Sequence, residues 1–409
     1  MSGPGRALGA ATLLAVLAVA GCDTPVAPKL DTSLAPPEAK ATAGATFDPP
    51  VRFQPTALNI GWPNGSNVLL RKNLAFYGDS KGLTVTDVLT GKTVGVLAPG
   101  GAQAAGGGTP LLFREHPSVL VRTSAGERVA AVYPVAVAAA GTSRNRNRLE
   151  VVTADATTGK GTGSVVLDAP ATPANGADAH DTVRIAGTHG DVVVLVFGAS
   201  ILMKNPETVA VDVITGRTLW RRAGLRAGAV LGDTLLAQTG TKPAFVSGLG
   251  VADGGQRWKA LQVPSGSFTI TAAGPDAAAV AVSDHATGKR SAGFLDSAGR
   301  LTGRISATRV GDCHYDEQAI TVCSLDGDEV AGFDAATGRE LWRLPTADRL
   351  APRVTFAWHG AVYGRVKSDA VVLDARTGAD REAEAGIDPI AVNEYGGVSN
   401  VPQFHPAAG

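Results

Sequence analysis

The sequence predicts an all-β fold built from a stacked repeat, and three observations carry that reading. The string Asp-x-x-Thr-Gly occurs six times, beginning at Asp87, Asp155, Asp212, Asp284, Asp334 and Asp374. Short apolar runs precede most copies, and the segments that recur have strand character, among them Leu83 to Thr86, Val192 to Phe197, Val209 to Asp212 and Val371 to Asp374. Long stretches of helical period are absent, while 51 glycines and only 18% charged residues suit many short strands joined by tight turns. Taking the turn aspartates as Asp87, Asp155, Asp212, Asp253, Asp296, Asp334 and Asp374, the steps are 68, 57, 41, 43, 38 and 40 residues. A period near 40 is that of the four-stranded antiparallel blade of a β-propeller.

The chain opens with Arg6 as a thin positive region and an apolar run from Ala7 to Ala20. That run is shorter than the roughly 20 residues of a membrane span and suits the core of a signal peptide. The string Val19-Ala20-Gly21-Cys22 resembles the lipobox of bacterial lipoproteins. The resemblance implies cleavage before Cys22, diacylglyceryl and palmitate-type acylation there, and anchoring of the chain to a membrane. An ordinary secretory signal containing a cysteine is the alternative. In lipoproteins of two-membrane bacteria an aspartate after the lipidated cysteine opposes export to the outer membrane. Asp23 therefore points to the extracytoplasmic face of the cytoplasmic membrane, or to a bacterium with only one membrane. From Asp23 to Pro50 the chain is rich in Pro, Ala and Thr, as a disordered tether is. The expected organisation is a lipoprotein signal peptide at 1–21, a tether at 22–50 and one propeller domain at 51–409.

Within each repeat, Asp at the end of a strand can accept backbone N–H bonds across the coming turn, and Gly four residues on supplies a positive φ. Two copies continue as Arg-x-Leu-Trp, ending at Trp220 and Trp342, whose rings can bury between neighbouring sheets. Asp253 and Asp296 head shortened copies, and Asp284 belongs to the preceding hairpin of the Asp296 blade. Seven strand sets follow, at about 68–98, 110–168, 183–222, 228–261, 268–306, 308–344 and 353–385. The remainders, Val51 to Ile60 and Ile390 to Phe404, complete four strands only together. Eight blades, with the last shared between the two ends, would leave few exposed edges. Seven blades with trimmed ends is the alternative.

The two long steps are insertions. One places Arg144, Arg146 and Arg148 in a loop between the strands Val129–Val137 and Leu149–Val152. These side chains could meet phosphate or carboxylate groups, or form a solvated hairpin tip. In blade three Ile201, Leu202 and Met203 form an apolar tip, a partner contact if exposed and packing if folded back. The glycine-rich stretch Pro99 to Gly108 lacks the Lys and Ser/Thr of a phosphate loop. With Cys22 acylated, Cys313 and Cys323 remain, in an oxidising compartment. They flank a hairpin turning near Glu317 and Gln318, which predicts a cross-strand disulfide. A metal site of Cys313, His314 and Cys323 competes but lacks a fourth ligand. His180-Asp181 is an adjacent acid–base pair, in a Pro/Gly/Ala-rich connector. No nucleophile elbow or zinc spacing stands out, and the balance of 37 basic and 37 acidic residues gives no field that would gather nucleic acid.

The string Asp334-Ala-Ala-Thr-Gly-Arg-Glu-Leu-Trp342 resembles the blade signature of the pyrroloquinoline-quinone-like β-propeller repeats, and the similarity spans about 68 to 385. The resemblance implies one of three roles, and a binder of small polar ligands in the central channel is a further alternative. The first is a membrane-anchored extracytoplasmic scaffold without catalysis, which binds an unidentified envelope protein and needs no cofactor. The second is a quinone- or sugar-dependent oxidoreductase, whose adjacent cysteine pair this chain lacks. The third is a factor like the outer-membrane-barrel assembly lipoproteins, which Asp23 opposes. The scaffold is the expectation taken forward.

Overall fold

The computed structural model describes residues 45–61, 68–79, 81–100, 102–103, 118–137, 142, 146–168, 182–199, 204–401 and 403–409. Their strands form eight antiparallel sheets, so the propeller has eight blades. Strands are lettered a to d from the axis outward. Blade 1 is Val68–Arg71, Leu74–Asp79, Gly82–Asp87 and Lys92–Leu97. Blades 2 to 7 occupy 119–168, 182–223, 225–263, 266–305, 310–344 and 353–382. The sheet of blade 2 has five strands, because Ala102–Gln103 pairs with its strand b beyond the reach of strand a. Asp284 lies at the b–c turn of blade 5 and Asp296 at its c–d turn, as the spacing predicts.

Blade 8 joins the two ends of the ring. Its strands a to c are Ala391–Asn393, Gly396–Val398 and Gln403–Pro406, and its strand d is Leu58–Asn59 from the other end of the domain. Leu58 sits opposite Phe404 and Asn59 opposite Gln403. A second seam backs this pair: the amides of Val51 and Arg52 donate to the Gly409 carbonyl at 2.7 and 3.2 Å. The amide of Ala408 returns a bond to Arg52 at 2.9 Å. Closure of this kind removes the two edges that an open row of sheets would expose.

The core is not a single mass. Eight apolar clusters lie one between each pair of neighbouring blades. Strand b of blade 2 shows how one strand serves two of them. Val129, Ala131, Tyr133 and Val135 pack toward blade 1, while Ala130 and Val132 pack toward blade 3. The side-chain period of two sends alternate residues to opposite faces, and both faces are covered. The inner strands therefore read as unbroken apolar runs.

The repeat signature explains how blades lock. Asp155 Oδ1 accepts the amides of Thr157 and Thr158 at 3.0 and 2.7 Å, and Asp374 Oδ1 accepts those of Arg376 and Thr377 at 3.0 and 2.9 Å. The residue after each aspartate then ties the c–d turn to the a–b turn of its own blade. Val213 donates to the Asp191 carbonyl and Ala375 to that of Gly360, both at 2.9 Å. Strand d carries the tryptophan forward to the next blade. Trp342 Nε1 donates to the Ala375 carbonyl at 2.8 Å and its ring covers Gly378, where an added Cβ would stand 2.6 Å from the indole. Trp220 covers Gly254 and donates to Val251 at 2.7 Å in the same way, and Trp258 covers Gly299. The motif glycine is thus needed twice, for its positive φ and for the flat seat it offers an indole.

One expectation is corrected. Arg146 and Arg148 do not belong to the blade 2 loop. They lie in strand c, Arg146–Asp155, paired with strand b, Gly126–Val137. The insertion lengthens both strands, so the arginines extend a ladder instead of a tip, and Arg148 Nε pairs with Asp168 at 3.1 Å. Arg144, the tip Ile201, Leu202 and Met203, and the pair His180-Asp181 lie outside the described residues. Cys313 and Cys323 are directly opposite across the a–b hairpin of blade 6 and joined by a disulfide, with Cα atoms 4.1 Å apart.

Candidate functional site

In a four-stranded meander the a–b and c–d turns share one face of the ring. On that face, over the axis, lies an open cavity of about 800 Å³. Its walls are the strands a of blades 1, 2, 7 and 8, with Glu317 from the blade 6 turn. Thr46, Phe47 and Asp48, from the far end of the expected tether, lie along its edge. The Phe47 amide donates to the Glu394 carbonyl at 2.9 Å, and Asp48 bonds to His359 Nδ1.

The rim of this mouth is stitched from blade to blade. Asn393 Nδ2 of blade 8 donates to the Lys72 carbonyl of blade 1 at 2.5 Å. Arg71 then grips Glu127 of blade 2 through Nη2 at 2.5 Å and Nε at 2.9 Å. Ser124 of blade 2 donates through its amide to Asp191 of blade 3 at 2.6 Å. In blade 6 the buried carboxylate of Asp316 accepts three amides, those of Gln318, Ala319 and Ile320, while its carbonyl takes the His359 amide at 2.7 Å. These bonds hold the turn side chains in fixed places around the opening.

The turn residues differ around the ring in a telling way. Four blades share a tight a–b hairpin whose first residue has a left-handed backbone. In blades 3 and 4 that residue is Gly190 or Gly232, with φ of 53° and 55°. In blades 1 and 7 it is Lys72 or His359, with φ of 51° and 44°. Glu317, in the longer turn of blade 6, has φ 63°. A non-glycine residue in this region costs of the order of 1 kcal/mol. All three of these strained side chains line the cavity. The His359 ring stacks on Trp358, with centroids 3.9 Å apart, and its Nε2 stands 4.0 Å from Glu317. Lys72 is exposed, and so is Arg122 of blade 2, which reaches Glu127 only at 3.7 Å. Phe356 and Tyr395 add half-exposed aromatic surface. The mouth therefore offers aromatic faces beside charges of both signs, a mixture that suits a polypeptide segment.

A second, smaller cavity of about 380 Å³ lies against the strands a of blades 3, 4 and 5. Arg184 and Arg226 line it with Thr269 and Thr271. Burial, and secondarily the charge of Arg226, pulls the Arg184 guanidinium down to about 10, so it stays protonated at neutral pH. Among the described residues no group of three or more His, Cys, Asp or Glu is placed to hold a metal ion.

Sequence reasoning did not single out the mouth. A signal for it was present: aligning the a–b hairpins sets Lys72-Asn73 and His359-Gly360 against Gly190-Asp191 and Gly232-Asp233. Arg184 and Arg226 carried no such signal, because an arginine within a strand reads as a solvated one.

No family model matches the chain, and no curated protein matches it. Among solved structures it is similar to the crystal structure of BamB from Moraxella catarrhalis, at 13% sequence identity and a TM-score of 0.48. The match covers 86% of this chain and 97% of that one.

Proposed function

We propose that the protein is a lipid-anchored, extracytoplasmic scaffold that binds a partner protein at the mouth of its ring. The observation that carries this reading is the placement of Lys72 and His359 at hairpin positions that are glycine in blades 3 and 4. Both side chains line the cavity, and a strained backbone there is ground for a hypothesis of function, although Asn205, Leu261, Asp328 and Lys367 share a positive φ elsewhere. The anchoring half of the proposal rests on the string ending at Cys22, and the location on Asp23. Arg144, Arg146 and Arg148, with Ile201, Leu202 and Met203, are proposed as a second contact surface. Catalysis has no part in this reading.

The test is cross-linked capture from membranes of the native chain and of a Lys72→Gly/Arg122→Ala variant. One envelope protein captured by the native chain and lost from the variant is expected. Equal capture by both would remove the mouth from the proposal. The anchor is tested separately: Cys22→Ser is expected to move the protein from the membrane fraction to the soluble one.

A further inference from the structure

The cavity against blades 3, 4 and 5 has a chemistry of its own. Its lining holds two arginines and no carboxylate. Arg184 stands on strand a of blade 3, Thr182–His189, and Arg226 at the matching place on strand a of blade 4, Leu225–Leu231. The Arg184 side chain crosses to the next blade. Its Nη1 donates to the Gly228 carbonyl at 3.3 Å and its Nη2 to that of Ala227. Those two bonds use part of a guanidinium that carries five N–H donors. Neither arginine forms an ion pair among the described residues, whereas about half of the described arginines do, as with Arg221 and Glu207 or Arg381 and Asp374. Two like charges are thus kept side by side in a partly desolvated recess without a counter-charge. Thr269 and Thr271 of blade 5 also line the cavity.

We propose that this recess is an oxyanion-binding site, in which Arg184 and Arg226 hold a carboxylate or phosphate group of a small ligand and the blade 5 threonines complete its hydrogen bonds. An anion here relieves the repulsion between the two guanidinium groups and takes up their remaining donors, and planar forks suit such groups better than point charges do. The cavity volume suits a compact anion and is too small for a folded partner. The recess shares no lining residue with the mouth, so it survives if the scaffold reading of the mouth fails.

The experiment uses the full chain in detergent, with thermal melting and isothermal titration against two probes, inorganic phosphate and succinate. At least one probe is expected to raise the melting temperature and to bind the native chain, and the stronger of the two tells phosphate from carboxylate. In Arg226→Gln the affinity is expected to fall by about tenfold or more. Arg304→Gln, exposed on the outer strand of blade 5, is expected to bind as the native chain does. Arg226 is the residue to change because Arg184 also braces the backbone of blade 4. Should Arg226→Gln not fold, Arg226→Lys keeps the charge and loses the fork, and its affinity is expected to fall as well. Failure of both probes to bind the native chain at about 10 mM overturns the proposal. Equal binding by the native chain and the Arg226 variants overturns it too.

Discussion

Lys72 shows how a single position can serve binding against stability. It is exposed, its backbone is left-handed, and the same hairpin position in blades 3 and 4 is glycine. Lys72→Gly is expected to leave the fold intact and to raise stability by up to about 1 kcal/mol, read from a urea midpoint. Loss of stability would mean that the lysine side chain makes a contact worth more than the strain it imposes. The repeat aspartates make the opposite case, since their chemistry is spent on their own turns. The Thr337 hydroxyl and then its amide hold the Asp334 carboxyl below its ordinary value of 3.8. A carboxylate depressed in the folded state stabilises above its unfolded value, and that stability is lost as pH falls through the folded one. Asp334→Asn is therefore expected to flatten the fall in stability below about pH 4, measured by melting across an acid series. Little change is expected at pH 7 beyond about 1 kcal/mol from the altered hydrogen bonds.

At the scale of the element, the blade contact to test is the indole seated on a glycine. Trp342 is half-buried and covers Gly378 of the following blade. Trp342→Ala is expected to cost about 2–3 kcal/mol, less than a fully buried tryptophan would. Gly378→Val should cost at least as much, because it combines a collision with the indole and a φ of 69° that a β-branched residue resists. If Gly378→Val melted as the native chain does, the glycine would not be a seat. The blade 6 hairpin carries the disulfide, with a sequence separation of 10. Closing so short a loop restrains the unfolded chain by up to about 2–3 kcal/mol. A paired Cys313→Ser/Cys323→Ser variant is expected to lose no more than that. The turn motifs that set these hairpins were legible in the sequence because they are local: Asp, Thr and Gly satisfy one another within five residues. The arginines of blade 2 were not. Whether Arg146 and Arg148 sit in a loop or extend a ladder depends on the partner strand, and the partner strand begins at Gly126.

For the whole molecule, the ring is the unit of stability. Eight apolar layers each need two blades, so no blade holds its own core. Opening the seam should therefore act on all of them. Removing residues 403–409 takes strand c from blade 8 and leaves Leu58–Asn59 without a partner. The expected result is a large fall in melting temperature with aggregation through the exposed edges, seen by melting and light scattering. A truncated ring that melted as a monomer near the native temperature would show that closure contributes little.

The sequence by itself determined the blade, its turns and the period, and favoured an eighth blade shared between the two ends, which the structure then showed. Each of these follows from patterns within about 40 residues or from the simple need to cover edges. It also marked Cys313 and Cys323 as neighbours, since a hairpin places them opposite each other without help from the rest of the chain. Only the tertiary structure decided which turns face the axis, and so it alone brought Lys72, Arg122, Glu317 and His359 to one mouth from blades 1, 2, 6 and 7. The same holds for Arg184 and Arg226, which stand 42 residues apart in the chain yet share one recess. A closed ring sets residues from separate repeats side by side at its centre, and no local pattern in the sequence encodes that distance.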